Sequence, residues 1–294
     1  MATSDVSIKK ALSSQEDLKR RGEHCSADPQ ALAALGCVVG QQLRVIARTS
    51  EEYALYTVSE VRQESPEDVV RMGLVGRRRL GTDEELSAVL ETQVAHPTLR
   101  DDEAEALSEF VERLDDDGRS CGLIAIAPHG GSIEAHTDKQ AERVASRLAA
   151  AGASSWRCKG WKDGGGAFER WHITSTDINE ASFPRLAEVI GRGFAHAVGF
   201  HGFDDPEILI GGTADMVVKH EIKMAIEAVT AGSVIDVRIA EPEDEFGGDD
   251  ARNIVNRLTV GAANGVQIEQ SLDARERYGI AIADAVADVY RLKL

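Results

Sequence analysis

The sequence predicts an α/β protein, with a mixed, mostly parallel sheet, flanking helices and a small strand-rich N-terminal region. From Gly122 onward, apolar runs of strand length alternate with longer stretches of helical period, as in parallel strands joined by crossover helices. Upstream, the alternating or apolar segments crowd together without long helical patterns between them. At 294 residues, 43% hydrophobic and 28% charged, the chain can bury a sizeable core.

Residues 1–35 are polar and weakly patterned, which predicts a mobile arm with one helix. Residues 36–118 read as a small N-terminal α+β region and 119–294 as the main α/β domain. In the small region, strands are expected at Leu43–Ala47, Tyr53–Val61 and Gly73–Leu80, followed by helices at Thr82–Val94 and Leu99–Leu114. Thr82 stands three residues before Glu85, a capping-box spacing. The main domain predicts strands at Leu123–Ala127, Ser154–Lys159, Trp171–Ser175, Ala195–Phe200, Ile208–Gly211, Val234–Ile239 and Val266–Gln270. Its helices are expected near Lys139–Ala150, Ser182–Arg192, Ala214–Thr230 and Asp273–Tyr290. The acidic, glycine-containing stretch Glu241–Asp250 reads as a solvated connection or a lid.

Composition narrows the function. A formal charge of −17 leaves no basic surplus to neutralise phosphates, which argues against a general nucleic-acid binder. The run Arg77, Arg78, Arg79 reads as a solvated face. No apolar run approaches the roughly 18–20 residues of a membrane helix. The opening MATSDVSIKKALSSQEDLKRRGEH lacks the apolar core of a secretory signal, so a cytoplasmic protein is expected, with lysis as a route of release. Cys25, Cys37, Cys121 and Cys158 show no CxxC pairing and read as free thiols.

The stretch APHGGSIEAHTD concentrates the chemistry. An apolar run delivers His129 onto a Pro/Gly-rich turn, with Glu134 five residues later, and a second apolar run ends in His201 and Gly202. Ligands of open α/β sheets bind beyond the carboxyl ends of the strands. A catalytic zinc takes three nitrogen or oxygen ligands and keeps a position for water; His129, Glu134 and His201 would supply that set. Gly130 and Gly131 would let the chain turn Glu134 back, and Gly202 would let backbone approach a substrate. His172 reads as a buried structural histidine, a substrate contact or a rival of His201 for the metal. His136 and Asp138 would orient a ligand or cap the following helix. Glu269, among Val266, Ile268 and Leu272, is either an outward-facing strand residue or a proton-transfer carboxylate beside zinc. Arg170, Arg252, Arg257 and Arg275 are the candidates for holding an anion or oxyanion, Arg275 lying six residues after Glu269 at the start of a helix.

Taken in order, APHGGSIE, WHITSTD, FHG, LIGG and GVQIEQS resemble the poly-γ-glutamate hydrolase family, phage-type enzymes similar in fold to zinc carboxypeptidases. The segment EEYALYTVSEVRQESPEDVVRMGLVGRRRLGTDEE looks like the longer bacterial members, so the resemblance spans Ala47–Leu294. It implies Zn2+ on His129, Glu134 and His201, with Glu269 as general base or acid and a γ-glutamyl polymer or small amide as substrate. Four residues separate the first histidine and glutamate, against two in carboxypeptidases. The alternatives are a zinc hydrolase of small N-acyl or γ-glutamyl compounds, and a non-catalytic binding or phage-related structural protein on the same fold.

Overall fold

A computed structural model of the chain describes residues 2–50 and 52–294; Met1 and Glu51, the latter opening the EEYALYTV segment, lie outside the described residues. The chain forms two compact units, one of residues 1–96 with 166–183 and the other of residues 97–165 with 184–294. The division therefore falls elsewhere than the expected boundaries at 35 and 118. Among the described residues no helix is long and apolar enough to cross a membrane.

The first unit is built on β1 (Thr3–Lys10), β2 (His24–Ala27), β3 (Gln42–Ala47), β4 (Tyr53–Val61), β5 (Val69–Met72) and β6 (Leu86–Glu91). They close a barrel in the order β1-β5-β2-β4-β3-β6, with β6 antiparallel to β1. Residues 3–35 are thus not a mobile arm. Val6 and Ile8 point into the barrel core with Leu43, Val45, Tyr56, Val58 and Val70, and the polar residues between them dominate the composition because a strand's other face stays wet. Asp28 caps the helix Pro29–Leu35 by accepting from the Gln30 amide at 2.7 Å, and Gly36, at φ 66°, closes it.

Two more expectations in this unit are reversed. Gly73–Leu80 contains the helix Leu74–Arg79, and Thr82–Val94 contains strand β6, whose Ala88 and Leu90 are buried. Apolar runs this short fit either period, and closure of the barrel decides. The Thr82 hydroxyl still accepts a backbone amide, that of Glu84 at 3.0 Å, but in a turn rather than a helix. Only Arg78 of the arginine run lies on a solvated face. Arg77 is buried and donates to the Met72 carbonyl at 2.8 Å, while Arg79 lies over the Tyr56 ring at 4.9 Å.

The second unit carries a seven-stranded sheet of β7 (Phe110–Asp115), β8 (Leu123–Gly131), β9 (Ser154–Gly160), β10 (His196–Gly202), β11 (Glu207–Gly211), β12 (Asp236–Ile239) and β13 (Gly265–Gln270), in the order β12-β11-β13-β10-β8-β9-β7. β9, β8, β10 and β13 are mutually parallel; β11 and β12 run together against β13, and β7 runs against β9. This is the mixed, mostly parallel sheet that the sequence predicts. The helices Thr137–Arg147, Met216–Val229 and Leu272–Arg291 pack Val144, Ile222, Ile226, Ile282 and Val286 against Ala125, Val198, Phe200, Val266 and Ile268.

The expected helix Leu99–Leu114 divides into a helix at Asp101–Ala106 and strand β7. The expected helix Ser182–Arg192 shrinks to a turn at Pro184–Ala187, whose first amides, Arg185 N and Leu186 N, donate to the buried Glu112 carboxylate at 3.0 and 2.8 Å. The expected strand Trp171–Ser175 is absent: Ala167–Trp171 is a short helix of the first unit, where Trp171 meets Tyr53 edge-on at 5.4 Å.

Candidate active site

Three strand ends of the second unit meet in one cluster. β8 carries His129 to its end, with a register shift against β9 between Ala127 and Gly130, so His129 sits on a bulged strand rather than on a turn beyond it. Gly131 then takes φ 71°, where a side chain would be strained and would strike Gly160. The reversal returns Glu134, whose amide donates to the His129 carbonyl at 2.8 Å. β10 presents His201 on the face opposite Phe200, and β13 presents Glu269 in register with it.

The Glu134 carboxylate is shared. One oxygen lies 3.0 Å from His129 Nδ1 and the other 3.4 Å from His201 Nδ1, and the second also accepts from the Gly202 amide at 3.1 Å. All three side chains are buried, and the two rings stand 5.2 Å apart between centroids. Burial pushes the Glu134 carboxyl upward, but the two imidazoles outweigh it and hold the group well below the usual carboxylate range. Burial likewise pulls His201 down, yet Glu269 and Glu134 win and raise it. The cluster therefore favours positive charge.

Glu269 behaves in the opposite way. Burial pushes it up to about 7, with Glu134 adding to the rise and His201, Arg275 and the Gln267 hydrogen bond opposing it. It is not an outward-facing residue, being only 5% exposed. Gln267, which the sequence places on the same strand face without revealing its role, donates to Glu269 Oε1 at 2.8 Å and to the Phe246 carbonyl at 3.2 Å. Its own oxygen accepts from Asn253 at 2.7 Å. That fixes the 241–250 stretch as a tied connection rather than a lid, and Asp244 paired with Arg238 at 2.6 Å ties it again.

Of the four candidate arginines, Arg275 is the one the structure places beside these groups. It is buried, donates to the carbonyls of Ala135 and Gln270 at 2.7 and 3.2 Å, and packs its guanidinium against Gly202 where a Cβ would collide. Gly202 thus makes room for Arg275. Arg252 is exposed and paired with Asp250 at 2.6 Å, and Arg257 ends the short helix Ile254–Arg257. Arg170 and His172 belong to the first unit. There Arg170 lies over Tyr53 at 4.1 Å and His172 stacks on Phe168 at 4.2 Å. Asp138 pairs with Lys159 at 3.0 Å, and its Oδ1 lies 3.4 Å from the Gly131 amide. His136 takes the N-cap position at φ 78° without a side-chain capping bond.

The cluster can hold a cation. Two imidazoles and one carboxylate form a donor set of the kind zinc accepts, with each imidazole Nδ1 beside a different oxygen of Glu134. His201 Nε2 is buried with no hydrogen-bond partner among the described residues.

Comparison with solved structures finds the same fold in a bacteriophage poly-gamma-glutamate hydrolase, 23% identical, with a TM-score of 0.50 over 62% of this chain and 89% of that one. A zinc-free YNDL structure is 20% identical, with a TM-score of 0.49 over 63% of this chain and 90% of that one. No curated relative matches the sequence. The family model for poly-gamma-glutamate hydrolase matches residues 99–279, and the chain belongs to that family.

Proposed function

We propose that the chain is a zinc-dependent amide hydrolase that cleaves γ-glutamyl linkages of poly-γ-glutamate. The observation that carries this reading is the Glu134 carboxylate set between His129 Nδ1 and His201 Nδ1, with Glu269 in register on the neighbouring strand. His129, Glu134 and His201 would hold the ion, which when bound supplies Lewis acidity for the scissile carbonyl and makes water more acidic. Glu269 takes a proton from the attacking water and returns it to the leaving amine; its high proton affinity, set by burial, suits both transfers at neutral pH. Gln267 holds Glu269 Oε1 so that the other oxygen faces the reaction. Arg275, fixed by two carbonyls, steadies the developing oxyanion.

The test joins metal analysis of the purified protein to a product assay on γ-linked glutamate polymer and on short γ-glutamyl amides. Zinc and polymer cleavage are expected in the parent. Glu269→Gln should retain zinc while hydrolysis falls by about 10²–10⁴-fold. Hydrolysis surviving that change would remove Glu269 from the mechanism, and cleavage confined to the short amides would replace the polymer by a small substrate.

A further inference from the structure

A groove of about 270 Å³ opens between the helices Thr137–Arg147 and Leu272–Arg291, along the flank that starts at the carboxyl ends of β8 and β13. His136, Lys139, Arg275 and Arg277 line it, with Glu276 as the only acid in its wall. The charge is unusual for a chain of net −17. Most arginines and lysines of this unit are neutralised by carboxylates, as Arg143, Arg147, Arg157, Arg192 and Arg238 are. Lys139 makes no ion pair or hydrogen bond among the described residues, and Arg275 spends its donors on carbonyls. Lys139 is therefore an unpaired cation in the same concavity as Arg275, whose guanidinium packs against Gly202 and whose nearest acids are Glu134 and Glu269 of the candidate site.

We infer that this groove is a carboxylate-binding subsite, which receives the free α-carboxylates of a γ-linked glutamate chain next to the bond being cleaved. The inference rests on the proposed hydrolase reading and adds where the substrate's charge is met. A γ-linked polymer carries one free carboxylate per residue, so an acidic protein would repel it everywhere except at a local basic concavity. Arg275 joins the two regions: it lines the groove, and its guanidinium packs on Gly202, whose amide donates to Glu134. Lys139, exposed and on the third position of its helix, supplies the mobile charge, and Arg277, already paired with Asp273 at 3.0 Å, supplies a weaker one.

Binding separates this inference from catalysis. Titration of the Glu269→Gln protein with a γ-linked glutamate oligomer, followed by calorimetry at several salt concentrations, reads affinity without turnover. Adding Lys139→Glu should weaken binding about tenfold at low salt, the gap narrowing as salt rises. Arg119→Glu, the same charge change on a loop side chain 87% exposed, should leave affinity unaltered. Equal affinity with and without Lys139→Glu overturns the subsite, as does failure of the oligomer to bind at all. Hydrolysis by the parent is scored separately: turnover with no Lys139 effect sinks the subsite and leaves the hydrolase, whereas Lys139-dependent binding without turnover leaves the subsite and sinks the hydrolase.

Discussion

Each unit buries a histidine against a carboxylate, and the two clusters are built for different ends. In the barrel unit, His24 Nε2 lies 2.8 Å from Asp177 Oδ2, and Arg21 Nη1 lies 3.2 Å from the same oxygen. Glu23 is engaged by the Thr174 hydroxyl at 2.8 Å. The ligand atoms of Glu23, His24 and Asp177 lie within 4.8 Å of one another, close enough in principle to share an ion. A guanidinium already fills the cationic role there. In the sheet unit, one carboxylate divides its two oxygens between two imidazoles, a second buried acid stands in register with His201, and Arg275 is turned toward carbonyls. Proximity of ligand types is common to both. The partner distinguishes them: in the barrel a guanidinium lies on the carboxylate beside the imidazole, whereas in the sheet the two carboxylate oxygens face imidazoles.

The largest effect that would break this contrast comes from Glu134→Ala. Zinc should be lost on dialysis and hydrolysis should fall by more than about a hundredfold; full zinc occupancy in the variant would show that the sheet cluster is not the metal site. A smaller effect is expected from His24→Ala. Zinc content should stay at the parent level while the protein loses about 1–3 kcal/mol of stability, because Asp177 is left facing Arg21 alone. Zinc content by elemental analysis and the thermal midpoint read the two quantities independently, and a drop in zinc would move metal binding to the barrel.

The smallest effect is a control on ordinary ion pairing in the sheet unit. The Arg192 hydrogen bond holds Asp116 below its ordinary value, helped by the Ser154 hydroxyl at 2.6 Å. A carboxyl with a depressed folded pKa contributes stability above its unfolded pKa, about 3.9, and loses it as pH falls through the lower folded value. The parent should therefore lose stability below about pH 4, and Asp116→Asn should lower stability at pH 7 by about 1 kcal/mol and flatten that acid limb. Thermal midpoints from neutral to acid pH check it; an unchanged slope would mean that the pair is not a stability determinant.

The candidate site was more legible than the barrel. Central parallel strands are apolar on both faces, so β8 and β10 appear as continuous runs and the histidines at their ends are conspicuous, while β13 alternates Val266, Gln267, Ile268 and Glu269. His129, Glu134 and His201 stand out on that basis, whereas Glu269 stands out through the resemblance of GVQIEQS to the hydrolase family. The barrel strands are short and half polar, so β1 reads as part of an arm and β6 as a helix. Gln267 could be placed on the same face as Glu269, but its burial and three hydrogen bonds depend on Asn253 and Phe246, which lie on other segments.

By itself the sequence determined the donor types, the apolar runs that carry them to strand ends, and the α/β class, because these depend on local composition and period. Only the tertiary structure decided that β10 lies between β8 and β13, which brings His129, His201 and Glu269 to one edge. It also selected Arg275 from four arginines. Both outcomes depend on packing across the buried central strands of the sheet and on contacts between distant residues, such as Arg275 with the Ala135 carbonyl, that no local pattern encodes.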